Sequence, residues 1–326
     1  MARRRVDDES FRTAVEPHRR ELLVFCYRML GSVDDAQDVL QETLTRAWRA
    51  FGRYDPSRAS VRTWLYRIAT NACLDALKAR QRRPLPADVG PAFDDPDAAL
   101  VPGFEVPWLQ PLPDALLGRV GLDPAEAAIE RSQLRLAVVA ALQLLPARQR
   151  AVLVLRDVLD VSAAEVAELL DTTAAAVNSA LQRAKATLAS AGADLDAVPE
   201  PADEQRAVVD AYVAAFEAAD IDGLTRLLHR DVVLEMPPMW NWYRGVADYG
   251  AFMVRVYRIR GRRWRSVPAA ANGQPAIVAY RGDPDEGFVV HTLQVFTVQN
   301  AQITRTSVFQ DPDVLAHFEA PARLDR

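Results

Sequence analysis

The stretch that most limits what this chain can become runs from Asp34 to Arg83, where two helical patterns of opposite charge follow one another across a tight connection. From Val33 the apolar positions Ala36, Val39, Leu40, Leu44, Ala47, Trp48 and Phe51 recur at helical spacing. Between them lie Asp34, Asp35, Asp38 and Glu42, so this helix begins strongly acidic, as its dipole favours. Asp55-Pro56 marks a turn, and Ser60 stands where a helix N-cap belongs. The next pattern turns Trp64 or Leu65, Ile68, Ala69, Ala72, Cys73, Ala76 and Leu77 inward. Its other faces hold Arg62, Tyr66, Arg67, Asn71, Lys78, Arg80, Arg82 and Arg83. From Leu44 to Arg83 ten Lys and Arg stand against two acids, Asp55 and Asp75. A basic helix bearing Trp64 and Tyr66 suits single-stranded nucleic acid. Cations neutralise phosphate, and ring faces stack unpaired bases at about 1–3 kcal/mol each. On spacing alone, a solvated basic face ranks ahead of that reading.

The order of residues is more specific than the spacing. DDAQDVLQETLTRAW, then F-x-x-Y-D, then VRTWLYRIATNACLDALKARQRR resembles region 2 of bacterial sigma factors of the sigma-70 superfamily, extracytoplasmic-function type. The resemblance implies an all-α domain over residues 10–83 with two jobs. It implies that Asp34, Asp35, Asp38, Gln41 and Glu42 dock onto core RNA polymerase. It also implies that Arg62, Trp64, Arg67, Asn71 and Lys78 contact the minus-ten element of promoter DNA as the strands separate. Read without it, the acidic face is equally a solvated helix start, and Trp64 is equally a core residue.

Length and charge fit several modules. The 326 residues exceed one ordinary domain, and the net charge of −5 conceals an asymmetry. Residues 1–83 carry 17 basic and 11 acidic side chains, whereas 84–125 carry one basic and seven acidic. A basic module in an acidic chain suggests one polyanion-binding surface. Cys26 and Cys73, isolated in sequence on apolar helical faces, suit a reducing interior, and nothing resembles a metal cluster. The longest apolar run, LLVFCYRML, is interrupted by Arg28 and far too short to span a bilayer. No signal peptide is recognisable, so a cytoplasmic protein without membrane partner, metal or cofactor is expected.

Along the chain, residues 1–10 read as frayed and Phe11 to Leu30 as one amphipathic helix ending at Gly31. Residues 84–125 are rich in proline and aspartate and read as a linker, able to reach on the order of 100 Å if extended. Its island Val106-Pro-Trp-Leu-Gln-Pro is too apolar for a pure tether and is expected to dock. Residues 126–192 read as helices: Ala127 to Leu144, Arg148 to Leu159, a short one capped by Ser162 with Glu165 in a capping box, and one capped by Thr173. Ala167, Leu170, Val177 and Leu181 would pack the last pair as a helix-turn-helix. Asn178, Ser179, Gln182, Arg183 and Lys185 would then face the major groove. The stretch 134–188, with L-P-A-R-Q-R-A-V-L-V-L-R, is similar to sigma region 4, which makes these residues and Thr173 the candidate minus-thirty-five contacts. Asp171 stands where the turn glycine is usual.

After a short linker over 190–203, helices at Glu204–Ala219, Leu224–Leu228 and Ala247–Tyr257 surround the apolar run VVLEM. Four strand-like runs follow, RWRSVPAA, PAIVAYR, FVVHTLQVFTV and ITRTSVFQ, with turns at Asn272-Gly273, Gly282-Asp283 and Asn300-Ala301. That order indicates α+β, a curved sheet wrapped on helices. It resembles the SnoaL-like members of the nuclear transport factor 2-like fold over 203–320. Trp240, Trp242, Tyr243, Phe252 and His291 are the candidate lining of a pocket for a small-molecule ligand. No acid–base pair accompanies His291, so the residues favour a regulatory or ligand-sensing domain over a catalytic one. The resemblance implies regulation in cis, and two apolar, proline-bounded segments, the island Pro107–Pro111 and the tail Asp311–Leu315, are the candidate partners in that contact. A plain helix-turn-helix regulator and a bifunctional protein with a C-terminal isomerase or hydrolase are the alternatives.

Overall fold

The computed structural model describes residues 8–78, 82–117, 133–191 and 201–325. Two compact units emerge, one of residues 1–83 with 116–197, the other of 84–115 with 198–326. The chain therefore leaves the first unit at Arg83 and re-enters it at Leu116.

The first unit is helical. The expected single N-terminal helix is two: α1 (Asp8–Val15) and α2 (Arg19–Leu30) flank a 3-10 turn, Glu16–His18. Pro17 causes the break, because it lacks the N–H of a continuing helix. Asp8 to Ser10, expected to fray, already belong to α1. Gly31, at φ 68°, ends α2 in the left-handed conformation expected of a C-terminal glycine. Ser32 then caps α3 (Val33–Ala50) by accepting from the Asp35 N–H at 3.2 Å. Ser60 caps α4 (Val61–Lys78) in the same way, accepting from the Thr63 N–H at 3.0 Å. Leu22, Phe25, Met29, Val33, Leu65 and Ala69 close the core of α2, α3 and α4, a fully buried Phe or Leu contributing about 1.5–3 kcal/mol. Cys26 and Cys73 are isolated in sequence only. Both are buried, and the Cys73 thiol is pushed well up by burial and then by its hydrogen bond with Cys26.

The second half of this unit contains α5 (Leu136–Leu142) and α6 (Ala147–Leu153), continued by a π turn to Val158. The start of the helix expected from Ala127 lies outside the described residues. Next come α7 (Ala163–Leu169) and α8 (Ala174–Ser190). Buried Arg150 bonds the Met29 carbonyl, the Leu145 carbonyl at 3.1 Å, and the Gln143 carbonyl at 3.2 Å and side-chain oxygen at 2.5 Å. Burial pulls its pKa down to about 10, so it stays charged at neutral pH. The positive charge sits on the last turn of α2, where helix carbonyls are unpaired and the dipole is negative.

The second unit is α+β with a curved mixed sheet. Helices α9 (Ala202–Ala218) and α10 (Ile221–Arg226) precede β1 (Leu228–Glu235) and the short β2 (Trp242–Arg244). Helix α11 (Val246–Arg260) leads into β3 (Trp264–Ala271), β4 (Gln274–Asp283), β5 (Gly287–Gln299) and β6 (Gln302–Phe309). The chain ends with α12 (Pro312–Ala316) and the two-residue β7 (Arg323–Leu324). The sheet order is β2-β1-β6-β5-β4-β3, with β7 on β5. The expected four-stranded meander β3 to β6 is extended by β1, which pairs parallel with β6, and by β2 and β7, both too short for an alternating pattern to reveal. Asn272-Gly273 and Asn300-Ala301 turn through positive φ at both residues, the geometry a two-residue hairpin favours. The third turn comes later than expected, since β4 continues through Asp283.

Residues 84–115 differ most from expectation. They form a strap laid on this unit rather than a free tether. Phe93 N–H donates to the Trp242 carbonyl at 2.9 Å, Gly103 N–H to the Pro238 carbonyl at 2.8 Å, and Trp240 N–H to the Val101 carbonyl at 2.8 Å. The Asn241 side chain accepts from Val101 N–H at 2.6 Å, and the Asn272 side chain accepts from Leu112 N–H at 2.8 Å. Proline deprives the segment of donors for a sheet of its own, and the remaining donors find partners on the domain beneath. A Cβ on Gly103 would come within 2.7 Å of the Trp240 indole nitrogen and 2.9 Å of the Trp108 ring, so a larger residue would lift the strap there.

Candidate functional site

Three surfaces of the first unit carry the expected binding residues. On α3, Asp34, Asp38, Gln41 and Glu42 are exposed. Asp35 is not: it is 8% exposed and paired with Arg83 at 2.6 Å, which removes it from the face it was expected to share. Glu42 pairs with Arg46 at 2.7 Å, while the Asp38 carboxylate and Gln41 amide meet no side-chain partner among the described residues. An open groove runs beside them, lined by Leu23, Leu40, Leu44 and Trp48. Trp48 was expected inside, but it is 46% exposed, its indole nitrogen donating to Asp8 at 3.1 Å. The helical period places it near the boundary of the apolar face, and only the packed neighbours decide its side.

The α4 surface sorts its residues into two kinds. Arg62 is tied down: its Nε donates to Glu21 at 2.9 Å and its guanidinium lies 5.1 Å from the Tyr66 ring centre. Burial first, and then the Glu21 carboxylate, raise the Tyr66 pKa well beyond its usual value, so the ring remains neutral. Lys78 forms an exposed pair with Asp75 at 2.8 Å, a kind of contact worth about 0–1 kcal/mol. Arg67 and Asn71 are exposed, with no side-chain partner among the described residues. Trp64 is neither core nor free. It is half-buried, 5.0 Å from the Tyr54 ring and 6.2 Å from Phe51. The Tyr54 hydroxyl donates to the Ala59 carbonyl at 2.9 Å, which anchors these rings to the turn before α4.

The third surface is α8. Ser162 and Glu165 form the capping box of α7, with bonds of 3.2 and 3.1 Å, and Thr173 caps α8 by accepting from Ala176 N–H at 3.2 Å. Asp171, at φ 50°, takes the left-handed turn position, which a short polar side chain tolerates. Val166, Ala167 and Leu170 are buried, as are Val177, Leu181 and Ala184, and this leaves Asn178, Ser179, Gln182, Arg183 and Lys185 exposed. Lys185 bonds Asp157 at 2.7 Å, so its charge is already partly engaged.

In the second unit the expected pocket residues separate. Phe252 and His291 line a cavity of about 370 Å³ together with Tyr212, Tyr249, Thr292 and Gln294. Trp240, Trp242 and Tyr243 lie elsewhere. Trp240 meets Trp108 of the strap at 5.1 Å, Trp242 donates to the Gly90 carbonyl at 3.0 Å, and Tyr243 packs on Phe252 at 5.1 Å. The reason is topological: among the described residues β2 pairs only with β1 at the sheet edge, so Trp242 and the preceding Trp240 meet the strap. Burial first, then Arg260 and Arg281, pull the His291 pKa down to about 4, which leaves the ring neutral. Among the described residues no carboxylate lines the cavity, and a neutral histidine without an acidic partner is no general acid–base pair.

Known proteins divide the chain in a corresponding way. Sigma-70 region 2 matches residues 14–83, sigma-70 region 4 matches 135–188, and the SnoaL-like domain matches 209–306. The extracytoplasmic-function RNA polymerase sigma factor SigG of Mycobacterium tuberculosis is 42% identical over 323 residues, covering 96% of this chain and 85% of the relative. SigJ from the same organism is 32% identical over 218 residues, or 67% of this chain and 62% of its own. The crystal structure of that SigJ shares the fold, with a TM-score of 0.64 at 23% identity, over 95% of this chain and 99% of the other.

Proposed function

Because the chain belongs to the extracytoplasmic-function family of RNA polymerase sigma factors, we propose a division of labour among its surfaces. The chain is a promoter-recognising transcription factor and not an enzyme, and region 2 sets it apart from a plain helix-turn-helix regulator. Asp38, Gln41 and Glu42, beside the Trp48 groove, dock onto core RNA polymerase. Arg67 and Asn71 on α4, next to the Phe51–Tyr54–Trp64 rings, receive the separated minus-ten strand. Asn178, Ser179, Gln182 and Arg183 read the minus-thirty-five duplex, with Lys185 and Thr173 at its backbone. The supporting observation is that Arg67 and Asn71 stay unpartnered beside half-exposed rings. Phosphate and an unstacked base offer those groups the contacts they lack.

The C-terminal domain, in this reading, regulates the sigma module in cis through the strap. The Trp108–Trp240 contact supports a docked island. The tail expected beside it forms α12 instead, with Val314 and Leu315 buried. Among the described residues no helix is long and apolar enough to cross a membrane.

Run-off transcription with purified core polymerase tests the division. Reversing charge at Asp38 and Glu42 in the full-length protein should lower polymerase retention about tenfold or more at unchanged thermal stability, since each lost charged contact is worth about 1–3 kcal/mol. Unchanged retention removes the docking role.

A further inference from the structure

The cavity of the C-terminal domain contains more unsatisfied polarity than a structural void needs. Most of its wall is apolar: Leu234, Met236, Phe252, Met253, Val256 and Val308. Into it point polar groups from one strand, β5. The Thr292 hydroxyl is buried without a hydrogen-bond partner, in a residue 4% exposed. The Gln294 side-chain oxygen accepts from the Tyr212 hydroxyl at 3.4 Å, but its amide nitrogen donates to nothing among the described residues. His291 lines the same wall because of a bulge. Ala279 pairs with Thr292 and Tyr280 with Val290, so His291 is the extra residue, and consecutive positions reach one cavity. Folded proteins pair nearly all buried polar groups, so the unpartnered Thr292 hydroxyl, with the Gln294 amide and the His291 ring beside it on a cavity of about 370 Å³, marks a site for a ligand with oxygen functions.

The charge of the lining narrows the ligand further. Arg255 and Arg260 belong to it, and among the described residues no Asp or Glu does. A cation would be desolvated without compensation, while an anion is matched. Arg255 has a second task. Its guanidinium holds the strap by bonding the Pro96 carbonyl at 2.9 Å and the Ala98 carbonyl. One turn along α11, Arg258 holds Asp97. The next strap residues, Ala99 and Leu100, are part of the cavity wall.

We propose that this cavity binds a small molecule with an apolar body and a carboxylate, and that the carboxylate competes with the strap for Arg255. A charged acceptor bonds guanidinium about twice as strongly as a neutral carbonyl, so occupancy draws Arg255 away from residues 96 and 98. The strap then loses two hydrogen bonds at the point where it also closes the cavity. Ligand binding and strap release thus favour each other by the same free energy. The proposal rests on the reading that the C-terminal domain acts in cis, and supplies its signal.

Three probes of one shape test it on the full-length protein: decanoate, decanol and decylamine. Decanoate should bind about tenfold or more tightly than decanol, the difference between a charged and a neutral bond, and decylamine least. Hydrogen exchange in peptide 93–101 should quicken with decanoate and stay unchanged with decylamine. Thr292→Val, which keeps shape and removes the open hydroxyl, should weaken decanoate binding without loss of fold. Arg255→Lys should reduce the preference for the acid. Equal binding of all three probes overturns the ligand class, and decanoate binding with unchanged exchange overturns the competition for Arg255. If decanoate binds and frees the strap but run-off transcription does not respond, the site stands and the reading of regulation in cis fails.

Discussion

Two groups of aromatic rings in this chain are packed alike but buried to different degrees. Phe51, Tyr54 and Trp64 lie 5.0 to 6.2 Å apart and yet all stay half-buried. Tyr212, Phe216 and Phe296, at similar separations of 4.9 and 6.1 Å, are fully buried. There the Tyr212 hydroxyl meets Tyr249 at 2.8 Å, and Tyr249 meets Thr306 at 3.1 Å. The first cluster keeps ring surface open to solvent, as the proposed stacking on a base requires. The second has spent its faces on the core. Ring chemistry is the same in both; burial decides how much ring surface stays open to solvent.

The comparison breaks most visibly under truncation. Phe216→Ala should cost about 3–5 kcal/mol and lower the urea midpoint of the C-terminal unit. Trp64→Ala should cost under about 2 kcal/mol but abolish strand opening, read by permanganate reactivity of promoter thymines. Equal destabilisation by the two would place Trp64 in the core and remove the contrast. A smaller effect comes from acid. The His291 pKa is about 4 in the folded chain against about 6.5 unfolded. The unfolded state therefore takes up the proton first. Stability is intact above about pH 6.5 and is lost as pH falls toward 4, with about 1–2 kcal/mol gone by pH 5. His291→Gln should flatten this part of the thermal melting profile, and an unchanged slope would assign the loss to other groups. The smallest stability effect is expected at the exposed cluster's neighbours: Arg67→Ala with Asn71→Ala should stay within about 0.5 kcal/mol in thermal melts while weakening promoter binding.

Much of the local structure was legible because its rules act within four residues. Ser162 with Glu165, Thr173, Gly31 and Asn272-Gly273 all do what capping and turn chemistry require. The failures involve partners distant in sequence. Asp35 shares a helical face with Asp34 on paper, yet Arg83, forty-eight positions on, draws it inward. Arg150 looks like one more charge in a basic stretch until α2 offers it the Met29 carbonyl. Trp240 and Trp242 were expected in the cavity, and the strap accounts for them instead.

By itself the sequence determined most of the helices, the four-stranded meander, and the motif order that places this chain among sigma factors. Those properties follow from backbone sterics, short-range hydrogen bonding and apolar periodicity. Only the tertiary structure decided that a proline-rich stretch lies on the C-terminal domain, that Arg255 serves both strap and cavity, and that the Thr292 hydroxyl of β5 is buried without a hydrogen-bond partner. Each of these depends on which donors and acceptors remain after the core has closed, and that remainder is set by distant parts of the chain.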